Sequence, residues 1–174
     1  MEALAAQLEA RHQSQVANWE TLMTPRMRPG HMELALIEAH KAAERGEVPV
    51  GAVVVNAEGL VVAQAGNRTR ELNDPSAHAE MLAIRAACVA LGSERLLDHD
   101  VYVTLEPCPM CAGVISNARI RRLYYGASDP KSGGVAHGAR VFTHATCHHA
   151  PDVYSGLGEE AASALLKTFF AQKR

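Results

Sequence analysis

The chain lacks the features that mark membrane, secreted and repeat proteins. It has no apolar run near the roughly 18 residues that a membrane-spanning helix requires. Its N-terminal segment has no continuous apolar stretch of the signal-peptide kind, because charged and polar residues interrupt it. It also has no internal repeat and no low-complexity tract. We therefore expect a cytoplasmic protein with no membrane partner.

A strong net charge is lacking as well. The formal net charge is −2 at pH 7, which gives no overall sign of a nucleic-acid partner. Basic residues do occur in local groups, although for any single residue a solvated surface position is the simpler interpretation. These groups are Arg68 with Arg70, Arg119 with Arg121 and Arg122, Lys131 with Arg140, and Lys167 with Lys173 and Arg174.

Cysteine is scarce, with four residues among the 174 of the chain: Cys88, Cys108, Cys111 and Cys147. Cys108 and Cys111 have C-x-x-C spacing, which in a cytosolic α/β protein indicates either a metal site or a redox motif. A redox motif would leave the upstream His78 and Glu80 without a role. We therefore favour the metal site.

The most informative pattern that is present is His78-Ala79-Glu80 followed by Pro107-Cys108-Pro109-Met110-Cys111. It supplies three zinc-type ligands and one carboxylate that is not needed as a ligand. Structural zinc sites are closed by four protein ligands, whereas catalytic sites keep one position for water. The pattern predicts a metal that activates water, with Glu80 beside it as a base. This signature is similar to that of the zinc nucleobase deaminases.

The four side chains can converge only with particular local geometry. Cys108 and Cys111 are three residues apart and share a face in the first turn of a predicted helix, where the dipole favours thiolate. His78 and Glu80 would diverge on a regular helix. We therefore predict that His78 caps a helix with non-helical dihedral angles and that Glu80 lies in the first turn. The alternative to a catalytic role is that Glu80 only stabilises the helix, as a carboxylate favoured by the dipole at the first turn.

The other two cysteines offer alternative metal sites. Cys88 lies ten residues after His78 on the same predicted helix, about 15 Å away, so a continuous helix excludes it as a fourth zinc ligand. We expect it to be a buried small hydrophobe. A second metal site at Cys147 with His148 and His149 is the less favoured interpretation of that segment.

Hydrophobic periodicity predicts an α/β domain, with three layers (α/β/α) and a mixed central sheet of about five strands. An antiparallel hairpin is predicted from the runs at 48–55 and 60–65. Further strands are predicted at 101–105 and 122–126, and helices from Met32 to before Gly46, up to about Leu91, at 108–117 and at 159–172. We expect residues 1–31 to be an N-terminal appendage and linker, with a helical pattern over 1–23, and residues 32–174 to be the domain.

From Met32 to Arg174 the chain resembles the bacterial tRNA-specific adenosine deaminase family, which has a cytidine deaminase-like fold. The resemblance extends well beyond the metal motif. It rests on Glu47–Val53, Gly66–Arg68, Asp74–Glu80, Thr104–Gly113, Tyr125–Ala127 with Asp129 and Lys131, and the final Phe169-Phe170 helix with its basic end.

The resemblance implies a chemistry for the motif residues. His78, Cys108 and Cys111 would bind one zinc ion per subunit, and Glu80 would be the proton shuttle. Zinc-activated water would be the nucleophile in hydrolytic deamination of adenosine to inosine.

The resemblance also implies substrate contacts and partners. Asn67 would hydrogen-bond the flipped nucleotide, and Val48 and Leu105 would help to wall the pocket. Asp129 would contact the tRNA anticodon stem-loop near the target, the wobble adenosine of an arginine tRNA. The family acts as a homodimer.

Two rival functions share part of the pattern. A free-base or nucleoside deaminase, acting on guanine or cytosine, would carry the same metal motif. The segments Gly66–Arg68 and Asp129–Lys131 and the Phe169-Phe170 helix favour the tRNA enzyme instead. The second rival is a non-enzymatic, zinc-stabilised RNA-binding module, and the open metal position and Glu80 argue against it.

Overall fold

A computed structural model of the chain describes residues 30–172, and all structural statements below refer to them. The helical pattern over 1–23, the proline-containing linker up to residue 29, and the basic end Lys173-Arg174 lie outside the described residues. The predicted boundary between an appendage and a domain stays a prediction. No helix in the described range is long and apolar enough to span a membrane.

Five strands form one mixed sheet. In chain order they are β1 (Gly51–Val55), β2 (Val61–Gly66), β3 (Asp100–Leu105), β4 (Arg122–Ala127) and β5 (Asp152–Ser155). Their order across the sheet is β2-β1-β3-β4-β5. Strand β1 pairs antiparallel with both β2 and β3, whereas β3, β4 and β5 run parallel. The mixed sheet and the predicted hairpin are confirmed.

Four helices cover the sheet. They are α1 (His31–Glu44), α2 (Ala79–Leu91), α3 (Pro109–Asn117) and α4 (Glu159–Ala171). Helix α1 contacts β1 and α4 on one face, and α2 contacts β1 and α3 on the other. Along β1, Val53 and Val55 pack against Met32 and Ala35 of α1, while its alternate residues join the core under α2 and α3. Burial on both faces explains the uninterrupted apolar sequence of β1.

One glycine sets the distance between α1 and the sheet. Gly51 opens β1, and a Cβ there would overlap the Ala35 carbonyl oxygen and lie 2.6 Å from the Ala39 backbone nitrogen. The Gly51 N–H donates to Thr104 Oγ1 of β3 at 3.1 Å. Because the helix backbone touches the strand, only a residue without a side chain fits at this position.

The sequence predicted strands β1 to β4 and all four α-helices to within a few residues of their observed ends, but neither β5 nor a short 3-10 helix at Val141–Thr143. Strand β5 is absent from the strands that the sequence predicts. All four of its residues are exposed, so it has no apolar alternation that could reveal it. It is held at the sheet edge by pairing with β4 and by a stack in which the rings of Tyr124 and Tyr154 lie 4.8 Å apart.

Candidate active site

Two helix N-termini bring the motif residues together. His78 is the N-cap of α2, with φ −71° and ψ 153°. Cys108 is the N-cap of α3, three residues after the end of β3, with φ −69° and ψ 169°. Both are extended, and neither side chain caps its own helix. The predicted non-helical cap at His78 and first-turn position of Glu80 are confirmed.

The donor atoms of His78, Cys108 and Cys111 all lie within 4.8 Å of one another. His78 Nδ1 is 3.6 Å from Cys108 Sγ and 3.5 Å from Cys111 Sγ. Around a tetrahedral zinc ion, a nitrogen and a sulfur at normal bond lengths lie about 3.6 Å apart. The three side chains therefore fit zinc, and Glu80 does not belong to the group.

Hydrogen bonding prepares the cysteines to act as ligands. A hydrogen bond from the Cys111 thiol, assisted by His78, lowers the pKa of Cys108 to about 4. The bond to Cys108 and burial raise the pKa of Cys111. The two opposite pKa shifts are those of a thiol pair that shares a hydrogen bond, and a bound cation would favour the thiolate form of both cysteines.

The alternative metal sites receive no support within residues 30–172. The group around His78 is the only convergent set of three or more metal-type ligands found there. Helix α2 is continuous, and Cys88 lies near its far end, partly buried rather than fully buried. Cys147 instead contacts Ser116 Oγ at 3.4 Å and the carbonyl oxygen of His149 at 3.1 Å.

Glu80 lies beside the ligands as a buried acid. Its exposed fraction is 4%, and burial raises the pKa of its carboxyl above the ordinary value. A carboxyl with a raised pKa can accept and return a proton near neutral pH. Its position and environment therefore suit a proton carrier.

A cavity of about 190 Å³ opens onto these residues. It contains every substrate residue predicted from the sequence, together with two of the three metal ligands and Glu80. Cys111 is buried and completes the ligand group from below. The lining residues are Val48, Val50, Asn67, Thr69, His78, Glu80, Leu105, Glu106, Cys108, Asp129 and Ser132. The structure thus brings the predicted residues together, while their individual roles remain predictions.

Sequence reasoning assigned no role to Glu47, which is 1% exposed. Its Oε2 accepts hydrogen bonds from Asn67 Nδ2 at 3.2 Å and Thr69 Oγ1 at 3.3 Å. Its Oε1 accepts from the backbone N–H groups of Arg70 at 2.9 Å and Glu71 at 2.8 Å. Glu47 therefore organises the Asn67 loop, residues 67–71, on one side of the cavity.

Glu106 organises the opposite side of the cavity in a similar way, and its exposed fraction is 2%. It accepts hydrogen bonds from the Asp129 loop, residues 129–137. Burial alone would raise the pKa of Glu106, but these donors outweigh burial and lower it to about 2. The only sequence signal for these roles is that Glu47 and Glu106 each adjoin an apolar strand segment. A charged residue buried there would require hydrogen-bond partners.

An α/β/α domain that has a group of three zinc-type ligands, with no fourth found among residues 30–172, and a buried acid at the cavity belongs to the class of zinc-dependent hydrolytic deaminases. Comparison with known proteins agrees. Residues 27–127 match the family described as the cytidine and deoxycytidylate deaminase zinc-binding region.

Individual relatives narrow the class. The chain is 64% identical over 143 residues to the tRNA-specific adenosine deaminase of Agrobacterium fabrum, covering 82% of this chain and 93% of that one. It is 65% identical, with a TM-score of 0.77, to a structure from a study of A-to-I editing by tRNA:A34 deaminases, covering 78% and 98%. Guanine deaminase of Bacillus subtilis is 30% identical, with a TM-score of 0.57, covering 87% and 94%. The chain belongs to the tRNA-specific adenosine deaminase family.

Proposed function

We propose that this protein deaminates the wobble adenosine of an arginine tRNA to inosine, by zinc-dependent hydrolysis with Glu80 as proton shuttle. The observation that carries the proposal is the single cavity onto which a zinc-type ligand group, a buried acid and the Asn67 and Asp129 loops all open. The 64% identity to a tRNA-specific adenosine deaminase supports the choice of substrate.

The chemistry divides between the metal and Glu80. When bound by His78, Cys108 and Cys111, zinc supplies an activated water as nucleophile. A Glu80 carboxylate oxygen would accept one proton of the water and pass it to the N1 atom of the adenine ring as the water oxygen bonds to C6. The same carboxylate would then transfer the second water proton to the amino nitrogen. The C6–N bond breaks, ammonia leaves and the oxygen stays on C6.

The cavity and its two loops suit a flipped base. At about 190 Å³ the cavity admits a single base, which a nucleotide in a loop can supply at little unstacking cost. Asn67 hydrogen-bonds this nucleotide, Val48 and Leu105 contact the faces of the base, and Asp129 contacts the neighbouring anticodon-loop residue.

The charge distribution fits an RNA partner better than the net charge does. Arg68 and Arg70 are exposed on the Asn67 loop, and Lys131 is exposed on the Asp129 loop. Basic residues on both sides of a cavity attract the phosphates that flank a flipped nucleotide. We propose that the protein forms a homodimer, which would bring the basic groups of two subunits onto one tRNA anticodon stem-loop. We also propose that the protein acts in the cytoplasm.

The test compares substrates. We expect the zinc-loaded protein to convert an arginine tRNA anticodon stem-loop with adenosine at the wobble position, and not free adenosine or guanine. The matched control is the same stem-loop with its adenosine moved to another loop position. Inosine formation is measured by nuclease digestion and chromatography. Guanine turnover as efficient as that of the RNA would favour the function of the 30% identical guanine deaminase instead.

A further inference from the structure

The Glu106 carboxylate accepts five hydrogen bonds, all from the Asp129 loop. Oε1 accepts from the backbone N–H groups of Val135 at 3.2 Å, Ala136 at 2.9 Å and His137 at 2.9 Å. Oε2 accepts from the Asp129 N–H at 3.0 Å and from His137 Nδ1 at 2.7 Å. Both ends of the loop are therefore tied to one carboxylate, and we call this arrangement the Glu106 clasp.

His137 is the only side chain among these donors. It is 39% exposed, whereas the Glu106 side chain is fully buried. No lysine or arginine in the described residues forms an ion pair with Glu106, so its hydrogen-bond donors are the His137 ring and backbone N–H groups alone. A buried carboxylate that loses a donor keeps its desolvation cost. Removal of the His137 ring should therefore loosen the loop rather than leave it unchanged.

The Asp129 loop packs so closely on Glu106 and on the start of α3 that two of its positions have no room for a side chain. A Cβ at Gly133 would lie 2.5 Å from Glu106 Oε1, and one at Gly134 would lie 2.5 Å from the Pro109 nitrogen. The Gly134 N–H also donates to the Pro107 carbonyl at 2.8 Å. The loop backbone is thus seated against the strand end that leads into α3.

The clasp determines where Asp129 lies. Its N–H is held by Glu106, and its Oδ1 accepts from the N–H groups of Lys131 at 3.1 Å and Ser132 at 3.0 Å. One carboxylate oxygen of Asp129 is thereby committed to the loop itself. Asp129 and Ser132 both line the cavity, so the loop presents its polar groups in a fixed arrangement.

We propose that His137 is a positioning residue for RNA binding, which acts by holding the Asp129 loop on Glu106. The inference rests on the proposed function, because the loop is taken to contact the anticodon stem-loop. His137 does not touch the metal group or Glu80, so its contribution falls on substrate binding and not on the chemical step.

The experiment compares His137→Ala, His137→Asn and His144→Ala in the full-length, zinc-loaded protein. An asparagine amide can replace the Nδ1 donor of histidine. His144 is the matched control, since its ring also binds a backbone carbonyl, that of Ala139 at 2.8 Å, without reaching Glu106. We expect His137→Ala to raise KM for the stem-loop RNA roughly tenfold with kcat and zinc content unchanged. His137→Asn should restore most of the affinity, and His144→Ala should match the wild type.

A second readout does not depend on activity. Lys131 is exposed within the loop, so tryptic cleavage after Lys131 reports how often the loop opens. Cleavage should be faster in His137→Ala than in the wild type or His144→Ala. Equal cleavage rates and equal KM values, or a loss of kcat or zinc at unchanged KM, would overturn the inference. If the wild type does not convert the RNA, the proposed function fails, and the cleavage rates still decide whether His137 holds the loop.

Discussion

At the scale of single residues, the decisive feature is that Glu80 is buried without being a metal ligand. Burying a carboxylate normally costs free energy unless it is paired or protonated. Here burial raises its pKa, and the side chains that interact with it electrostatically are those of His78, Cys108 and Cys111. A residue held in so unfavourable an environment is better explained by proton transfer than by stability, since a packed apolar side chain would stabilise the fold more.

Glu80→Gln tests this role, because glutamine keeps the shape and cannot carry the proton. We expect stoichiometric zinc and a loss of deamination of about a thousandfold, within the range that general acid–base catalysis provides. Zinc is measured by metal analysis and turnover by inosine formation. The control is Glu38→Gln, which alters another buried glutamate, bonded to Lys41 and Gln64 outside the cavity. Activity within tenfold of the wild type would remove Glu80 from the mechanism.

The residues that could be predicted differ physically from those that could not. His78, Glu80, Cys108 and Cys111 act through spacings of two or three residues, which local helix geometry converts into a site. Glu47 and Glu106 bind groups 20 to 31 residues away along the chain. Most of those partners are backbone N–H groups, which every residue except proline carries. No sequence pattern can distinguish such donors, so only the folded chain reveals these two carboxylates.

At the scale of elements, strands β1 to β4 were predictable and the edge strand β5 was not. Strand β1 is buried along its whole length, and its apolar, β-branched sequence shows this directly. Strand β5 is exposed throughout, and it forms because β4 offers unpaired backbone groups and Tyr124 offers a ring face to Tyr154. These are tertiary contacts, and the sequence of β5 contains no signal of them.

The contact between α1 and β1 gives an element-scale prediction. Gly51→Ala places a methyl group against the Ala35 carbonyl, which forces the helix away from the sheet. We expect a loss of about 3 kcal/mol of unfolding free energy, typical of overpacking, measured by urea denaturation. Gly113→Ala in α3 is the control, because an added Cβ meets nothing within 4 Å there and alanine favours the helix. Equal midpoints for the two variants would show that α1 adjusts freely.

At the scale of the whole molecule, the residues to which we assign the proposed function all lie within the described range. The metal group, Glu80 and the cavity come from residues 48–132, and the elements that support them run from His31 to Ala171. The 143 residues that align with the Agrobacterium protein make up 93% of that relative. Only 7% of that relative lies outside the alignment, whereas 18% of this chain does.

Deletion of residues 1–29 should accordingly leave kcat and KM for the stem-loop RNA within about twofold of the full-length values, since no described contact of the cavity is lost. The deletion stops before His31, because its ring binds the Gly59 carbonyl at 2.8 Å. A deletion through Ala35 is the contrasting variant. It removes Met32 and Ala35 from the core, and it should lower the Tm and the yield of folded protein. Circular dichroism and inosine formation separate the two effects. A deletion of 1–29 that folds normally but binds the RNA several times more weakly would show that the segment takes part in tRNA binding.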